Sequence, residues 1–204
     1  MIATLFVGYL ANNKKNVERL NIIEMKKIIL YIAASLDQRI AEPDGSLEWL
    51  TGVPNPQKTN GEYKDLLASV DTVLIGGRAY RELLNMEVIW PYHEQMTYVV
   101  SRHNWGGGDK VHFITDNIIE NISALRNEQG KDILLVGGGE LTSMLLAADL
   151  IDEMQITYIP VILGKGIPLF PEQSKESKWE LIKNQSHNSS ALTLEYKRKS
   201  NLLL

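Results

Sequence analysis

The feature that most narrows what this 204-residue chain can fold into is the stretch from Asp132 to Phe170, DILLVGGGELTSMLLAADLIDEMQITYIPVILGKGIPLF. It opens on a short apolar run, Ile133 to Val136, with the length and bulk of a buried strand. Three glycines follow, Gly137, Gly138 and Gly139. Beyond them Leu141, Met144, Leu145 and Ala148 recur at i, i+3, i+4 and i+7, the spacing of one helix face. A second apolar run, Met154 to Leu163, starts after a turn-like segment. Strand, glycine turn, helix and strand in that order make a crossover unit.

Such a turn suits anion binding, because glycine lets the backbone approach a ligand and the helix behind it presents free N–H groups. The run lacks the G-x-G-x-x-G spacing of a dinucleotide fingerprint, and no Gly-Lys-Ser/Thr follows to make a Walker loop. On the glycines alone, a plain tight turn and a phosphate cradle stand at even odds.

Three more strands end in small or cationic residues. Ile28–Ala34 closes on Ala33-Ala34, Thr72–Ile75 runs into Gly76-Gly77-Arg78-Ala79-Tyr80, and Thr97–Ser101 closes on Ser101-Arg102. In an open α/β sheet the ligand crevice lies outside the carboxyl ends of the strands, so this recurrence at one edge points to a binding site there. Between them, the spacing predicts a helix over residues 61–70 with Tyr63, Leu66, Leu67 and Val70 inward, opened by the capping box Thr59-x-x-Glu62. Two shorter helices follow, at Tyr80–Leu84 and around Ile118, Ile122 and Leu125. Trp179–Gln185 and Leu192–Tyr196 read as a closing antiparallel hairpin.

Composition removes several alternatives. The chain has no cysteine, four scattered histidines and a net charge of −4, which argues against a thiolate or dedicated metal site and against a nucleic-acid surface. No apolar run reaches the length of a membrane span, and Ile2–Leu10 lacks a preceding basic region, so a cytoplasmic protein is expected. Residues 1–24 read as an extension outside the core, residues 25–198 as the domain, and residues 199–204 as a tail.

Taken together, these motifs resemble the dihydrofolate reductase superfamily, and within it the RibD C-terminal branch of riboflavin-biosynthesis reductases. Ser35-Leu36-Asp37-Gln38-Arg39-Ile40-Ala41 is similar to that branch's S-L-D-G-R-I-A loop, with Gln38 in place of the glycine. Trp49 resembles its loop tryptophan, and Asp71–Tyr80, Val99–Arg102, Ile133–Leu141 and Pro160-x-x-x-Gly164-x-Gly166 fall in the family's order. The resemblance implies a three-layer α/β fold, with a mainly parallel central sheet flanked by helices and a C-terminal antiparallel hairpin. It also implies NADPH as cofactor, a small-molecule substrate and a homodimer meeting through the edge hairpin.

By the same resemblance, Val136, Gly137, Gly138, Gly139, Glu140, Leu141 and Thr142 would hold the diphosphate. Gly76, Gly77, Arg78, Ala79, Tyr80, Ser101 and Arg102 would meet the adenosine half. Ala33 and Ala34 would back the nicotinamide, with Ile40 and Trp49 closing over it. The implied activity is hydride transfer to a pterin- or pyrimidine-like heterocycle or to a carbonyl. Reduction of the ribosylaminopyrimidine intermediate of riboflavin synthesis and nucleotide binding without turnover are the alternatives. For the accompanying proton, Asp37 is the first candidate, with a pKa raised by burial under the loop; fastening the loop is its other role. Glu62 is the second candidate, weighed against its place in the capping box.

Overall fold

The computed structural model describes residues 25–50, 61–85, 90–171, 175–187 and 191–199. Ten strands and four helices lie among them: β1 (Ile28–Ser35), β2 (Arg39–Ala41), α1 (Gly61–Ser69), β3 (Val70–Gly76), α2 (Gly77–Asn85), β4 (Met96–Val100) and β5 (Val111–Ile114). The order continues with α3 (Ile118–Arg126), β6 (Asp132–Leu135), α4 (Gly139–Ala147), β7 (Glu153–Ile159), β8 (Ile167–Pro168), β9 (Trp179–His187) and β10 (Ala191–Arg198).

Eight strands form one sheet in the order β5-β4-β3-β6-β1-β7-β10-β9. Every pairing from β5 across to β7 is parallel, whereas β10 runs antiparallel to β7 and β9 antiparallel to β10. The expected architecture is therefore the observed one, with the hairpin at one edge. Parallel strands need crossovers, and α1 to α4 supply them on both faces of the sheet. Ile28, Leu30, Leu74, Ile133 and Leu135 pack on one face with Ile122, Leu125, Leu141, Leu145 and Leu146 from α3 and α4. Ile29, Val73 and Leu134 pack on the other face with Leu66 of α1. Alternation along a strand divides the two cores.

Three local expectations are corrected. In α4, Met144 is exposed, and Leu141, Thr142, Leu145 and Leu146 are the buried set. The inward stripe is thus turned by about a residue, because α4 packs against the sheet and β8 together. Val70 opens β3 instead of closing α1, and Gly77 starts α2 directly after the strand. Residues read as loop form a second, two-stranded sheet in which Arg39 pairs with Pro168 and Ala41 with Ile167. The capping residue Thr59 and the whole 1–24 extension lie outside the described residues.

The amino ends of the strands are tied by charge. Buried Lys26 donates to Asp71 at 2.8 Å, and Arg126 meets the Asp152 carboxylate, which also takes the Ile28 N–H at 2.8 Å. Polar ties at one end leave the carboxyl end free to be built for a ligand. Leu135 is fully buried on the central strand β6. Leu135→Ala should lower unfolding stability by about 2–5 kcal/mol in denaturant titration, through lost burial and the cavity left behind.

Candidate active site

At the carboxyl edge, β6 runs into a turn that only glycine makes without strain. Gly137 has φ +107° and Gly138 φ +96°, in the region disfavoured for side chains. Gly138 caps α4 with no side-chain hydrogen bond, and the first rung of the helix is Thr142 N–H to Gly138 O at 2.9 Å. The N–H groups of Gly139, Glu140 and Leu141 precede that rung and have no partner inside the helix. Thr142 is fully buried one turn in, and its hydroxyl has no hydrogen-bond partner among the described residues.

The end of β3 lies directly against this turn. Gly76 N–H donates to Gly137 O at 3.2 Å, and a Cβ on Gly138 would stand 3.4 Å from the Gly76 Cα. A Cβ on Gly77 would stand 2.8 Å from the Ser101 Cβ and 3.0 Å from the Trp105 ring, which draws the end of β4 into the same place. From the other side, Ile167 and Ile40 of the small sheet press on Gly139: a Cβ there would meet them at 3.2 and 3.6 Å.

Structure thus brings together the glycine turn, Gly76, Gly77 and Ser101, with Arg78 and Arg102 exposed beside them. The Arg78 stem lies against Gly45 of the turn after β2, where a Cβ would meet its Cδ at 3.4 Å. Three further expected residues can offer only their backbone. Tyr80 is buried edge-on against Trp90 and Phe113, and Ala34 and Leu141 belong to the core. Val136 is half-buried against it, Ala79 packs with Tyr80, and Glu140 is exposed on the first turn of α4. Sequence reasoning missed Trp105, which is 45% exposed with the Arg81 guanidinium 5.1 Å over its ring. Its signal was a tryptophan three residues beyond a strand-end arginine.

On the α1 face, Ala33 and buried Trp49 pack with Ile159 and Ala191. The indole nitrogen of Trp49 has no partner among the described residues. Below them α1 stands off from β1, β7, β10 and β9 and leaves a cleft of about 400 Å³, lined among others by Tyr31, Glu62, Tyr63, Gln155, Lys183, His187, Thr193 and Glu195. Glu62 accepts from Lys183 at 2.9 Å, and this bond, ahead of the opposing effect of desolvation, raises the Lys183 ammonium above its ordinary pKa. Burial raises the Tyr63 phenol.

Asp37 differs from expectation. Its carboxylate accepts from the Ser35 hydroxyl at 2.6 Å and from the Leu163 and Gly164 N–H groups at 3.0 and 2.8 Å. These bonds, the serine's first, outweigh the opposing desolvation and lower its pKa from 3.8 to about 2, where a rise was expected. A carboxylate so held fastens the 35–39 loop to the 163–164 turn. Gln38, where the resembled loop has glycine, takes φ +58° and carries the turn in left-handed conformation.

Among the described residues no group of His, Asp and Glu is arranged to hold a metal ion, and no helix is long and apolar enough to cross a membrane.

A mainly parallel sheet with this hairpin order and glycine turns at its carboxyl edge defines a dihydrofolate reductase-like fold. The dihydrofolate reductase of Enterococcus faecalis, solved with NADP(H), superposes with a TM-score of 0.62 at 20% identity, over 85% of this chain and 96% of its own. The RibD C-terminal domain model matches residues 26–193, and the chain belongs to that family. A putative riboflavin biosynthesis protein from Shewanella sp. PV-4 is 34% identical, with a TM-score of 0.75 over 85% of this chain and 99% of its own. The Bacillus subtilis protein YwjB is 38% identical over 174 residues, 85% of this chain and 98% of that protein.

Two substitutions test this geometry. Gly77→Ala must displace Ser101 or Trp105 and should cost about 1–3 kcal/mol in unfolding experiments. Asp37→Asn removes a carboxylate whose folded pKa lies below its unfolded one. The stabilisation is therefore full above the ordinary value of 3.8 and is lost as pH falls towards about 2. Wild type should be the more stable protein at neutral pH, and the gap between the two melting curves should close through that acid window.

Proposed function

We propose that this protein is an NADPH-dependent reductase that transfers hydride to a small heterocyclic, pterin- or pyrimidine-like, or carbonyl substrate. The observation that carries the proposal is the convergence of three strand ends on the uncapped amino terminus of α4. There a buried threonine hydroxyl lacks a partner among the described residues, positive φ at Gly137 and Gly138 disfavours side chains, and a Cβ on Gly77 or Gly139 would crowd its neighbours. Those features fit a dinucleotide diphosphate, whose charge is met by backbone N–H groups and the helix dipole.

In the proposed complex Val136 to Thr142 cradle the diphosphate, while Gly76 to Tyr80, Ser101 and Arg102 meet the adenosine half. The ring lies on Ala33 and Ala34, with Ile40 and Trp49 above it. When bound, the dihydronicotinamide supplies the hydride. The chain orients the acceptor in the cleft beneath α1, excludes water with the loop that Asp37 fastens, and provides the proton. Asp37 acts by anchoring that loop, because a carboxyl held near pKa 2 is a poor proton donor at neutral pH.

The cleft favours the unphosphorylated heterocycle over a ribose phosphate. Among its described lining, Glu62, Asp65 and Glu195 outnumber Lys183, whose ammonium already bridges Glu62 at 2.9 Å and Glu195 at 3.2 Å. A ring edge rich in N–H donors suits such carboxylates, and a dianionic phosphate is repelled by them. A homodimer through the β9 edge is part of the same proposal. Leu181 and Ile182 are exposed on that strand, and an unpaired edge invites pairing.

Cofactor preference is the direct test. Arg78 and Arg102 would pair with the 2′-phosphate through their planar forks. Loss of such a charge-assisted bond costs roughly 1.5–3 kcal/mol. Arg102→Ala should therefore weaken NADPH about tenfold or more in fluorescence titration while leaving NADH nearly unchanged. Equal losses for both cofactors would remove Arg102 from the phosphate site. Absence of NADPH binding to wild type would remove the reductase proposal.

A further inference from the structure

Hydride transfer leaves a nitrogen or oxygen that needs a proton, and neither acidic candidate is placed to give one. Asp37 is pinned in its ionised form by three donors, and Glu62 is engaged by Lys183 near the cleft mouth. The polar face of the sheet carries a different chain of groups. His187 Nε2 lies 2.8 Å from Thr193 Oγ1, and Thr193 Oγ1 lies 2.9 Å from Thr157 Oγ1. The three residues come from three adjacent strands, β9, β10 and β7. His187 and Thr193 line the cleft, while Thr157 is buried and is the register partner of Ala33 on β1. In-register residues of paired strands share a face, so Thr157 stands beside the alanine on which the ring and substrate would meet.

We propose that His187, Thr193 and Thr157 form a proton relay that feeds the hydride acceptor in this cleft. The inference rests on the reductase function above, since only hydride transfer creates the demand for that proton. Its direction follows from donor counting. A hydroxyl has one hydrogen, and a protonated imidazole donates from both nitrogens. With His187 neutral and its proton on Nδ1, Nε2 accepts, and the chain runs outward from Thr157 to Thr193 to His187. Once His187 is protonated, Nε2–H must donate to Thr193, whose hydrogen then turns to Thr157. The Thr157 hydrogen is left without an acceptor in the chain and turns towards its register partner Ala33, where the ring and substrate would meet.

The step balances with a reduced nicotinamide dinucleotide as reductant. The substrate carbon of a C=N or C=O group gains a hydrogen with its electron pair, and the π pair moves to the heteroatom. That atom takes the Thr157 proton. Thr157 is refilled from Thr193, Thr193 from His187, and His187 from water. An imidazole takes up and gives back a proton at a ring nitrogen, which suits this reservoir. The charged and titratable groups around it are Lys183 on its own strand, Glu195 on β10, Glu62, Tyr63 and Asp65 on α1, and Tyr31 on β1.

The test begins on the ligand-free protein, with NMR titration of the His187 ring and of the threonine methyl groups. The Thr157 methyl should shift with the same midpoint as His187. Thr193→Val should abolish that shift while His187 still titrates, and Thr193→Ser should restore it. If Thr193→Val does not fold, His187→Gln makes the same test, because Thr157 must then stop titrating. A Thr157 resonance that ignores His187, or that follows it unchanged in Thr193→Val, overturns the relay. With NADPH and an acceptor, kcat should fall as pH rises through the His187 midpoint. In His187→Gln that limb should vanish and kcat drop by roughly a hundredfold, with the KM for NADPH unmoved. An intact limb in His187→Gln also overturns the relay. Absence of turnover with every acceptor overturns the reductase function instead, and the NMR result then decides the relay alone.

Discussion

The site depends on one backbone contact, the approach of the Gly76 strand end to the Gly137–Gly138 turn. The Gly76 N–H bonds the Gly137 carbonyl, and the space where a Cβ of Gly138 would go is bounded by the Gly76 Cα at 3.4 Å. Two strand ends brought this close leave the first N–H groups of α4 facing the crevice with no side chain between. Positive φ at Gly137 and Gly138 is what allows the chain to leave β6 and enter α4 in three residues.

The two faces of the sheet are used differently. On the face of α3 and α4, apolar residues from β1, β3 and β6 close a continuous core that includes fully buried Ile133, Leu135, Leu145 and Ile151. On the face of α1 the apolar cluster is smaller, and it gives way beyond β1 to Gln155, Thr157, Thr193, Glu195, Lys183 and His187. Buried polar groups require partners, and here they find them in one another, strand to strand. A face that cannot close as a core stays open as a cleft, and its hydrogen-bond chain gives that cleft chemical capacity.

The loop over the site is held at its base and strained at its tip. Asp37 ties it to the 163–164 turn through two backbone donors, and Ser35 is bonded in turn by the Arg39 N–H at 2.8 Å. Gln38 bears a left-handed conformation that costs a side-chain-bearing residue on the order of 1–2 kcal/mol. Charge-assisted bonds from backbone N–H groups offset that cost, so the loop keeps its shape without the glycine that its relatives' motif supplies.

Much of the framework was legible in the chain, for reasons that are local. Apolar runs of strand length, the triple glycine and the helical spacing that follows announce a crossover whatever they later pack against. Small and cationic residues recurring after successive strands pointed to the carboxyl edge, where Gly76, Gly77 and Ser101 do meet the glycine turn. Asp37 was singled out, but its direction of titration was not readable: beside the nearby Ser35 hydroxyl, two of the donors that hold it are the N–H groups of Leu163 and Gly164, far along the chain. Met144 followed the helical period and still faces solvent, since the packing of α4 between two sheets selects the face. The β2–β8 pairing and the His187–Thr193–Thr157 chain left no pattern within any window of sequence. They exist because register places residues from separate strands side by side. Local periodicity and glycine chemistry thus settled the order of elements and the turn that opens α4. Which groups meet inside it, and with what proton affinity, was decided by tertiary structure, because hydrogen bonds and desolvation act between segments that only folding brings together.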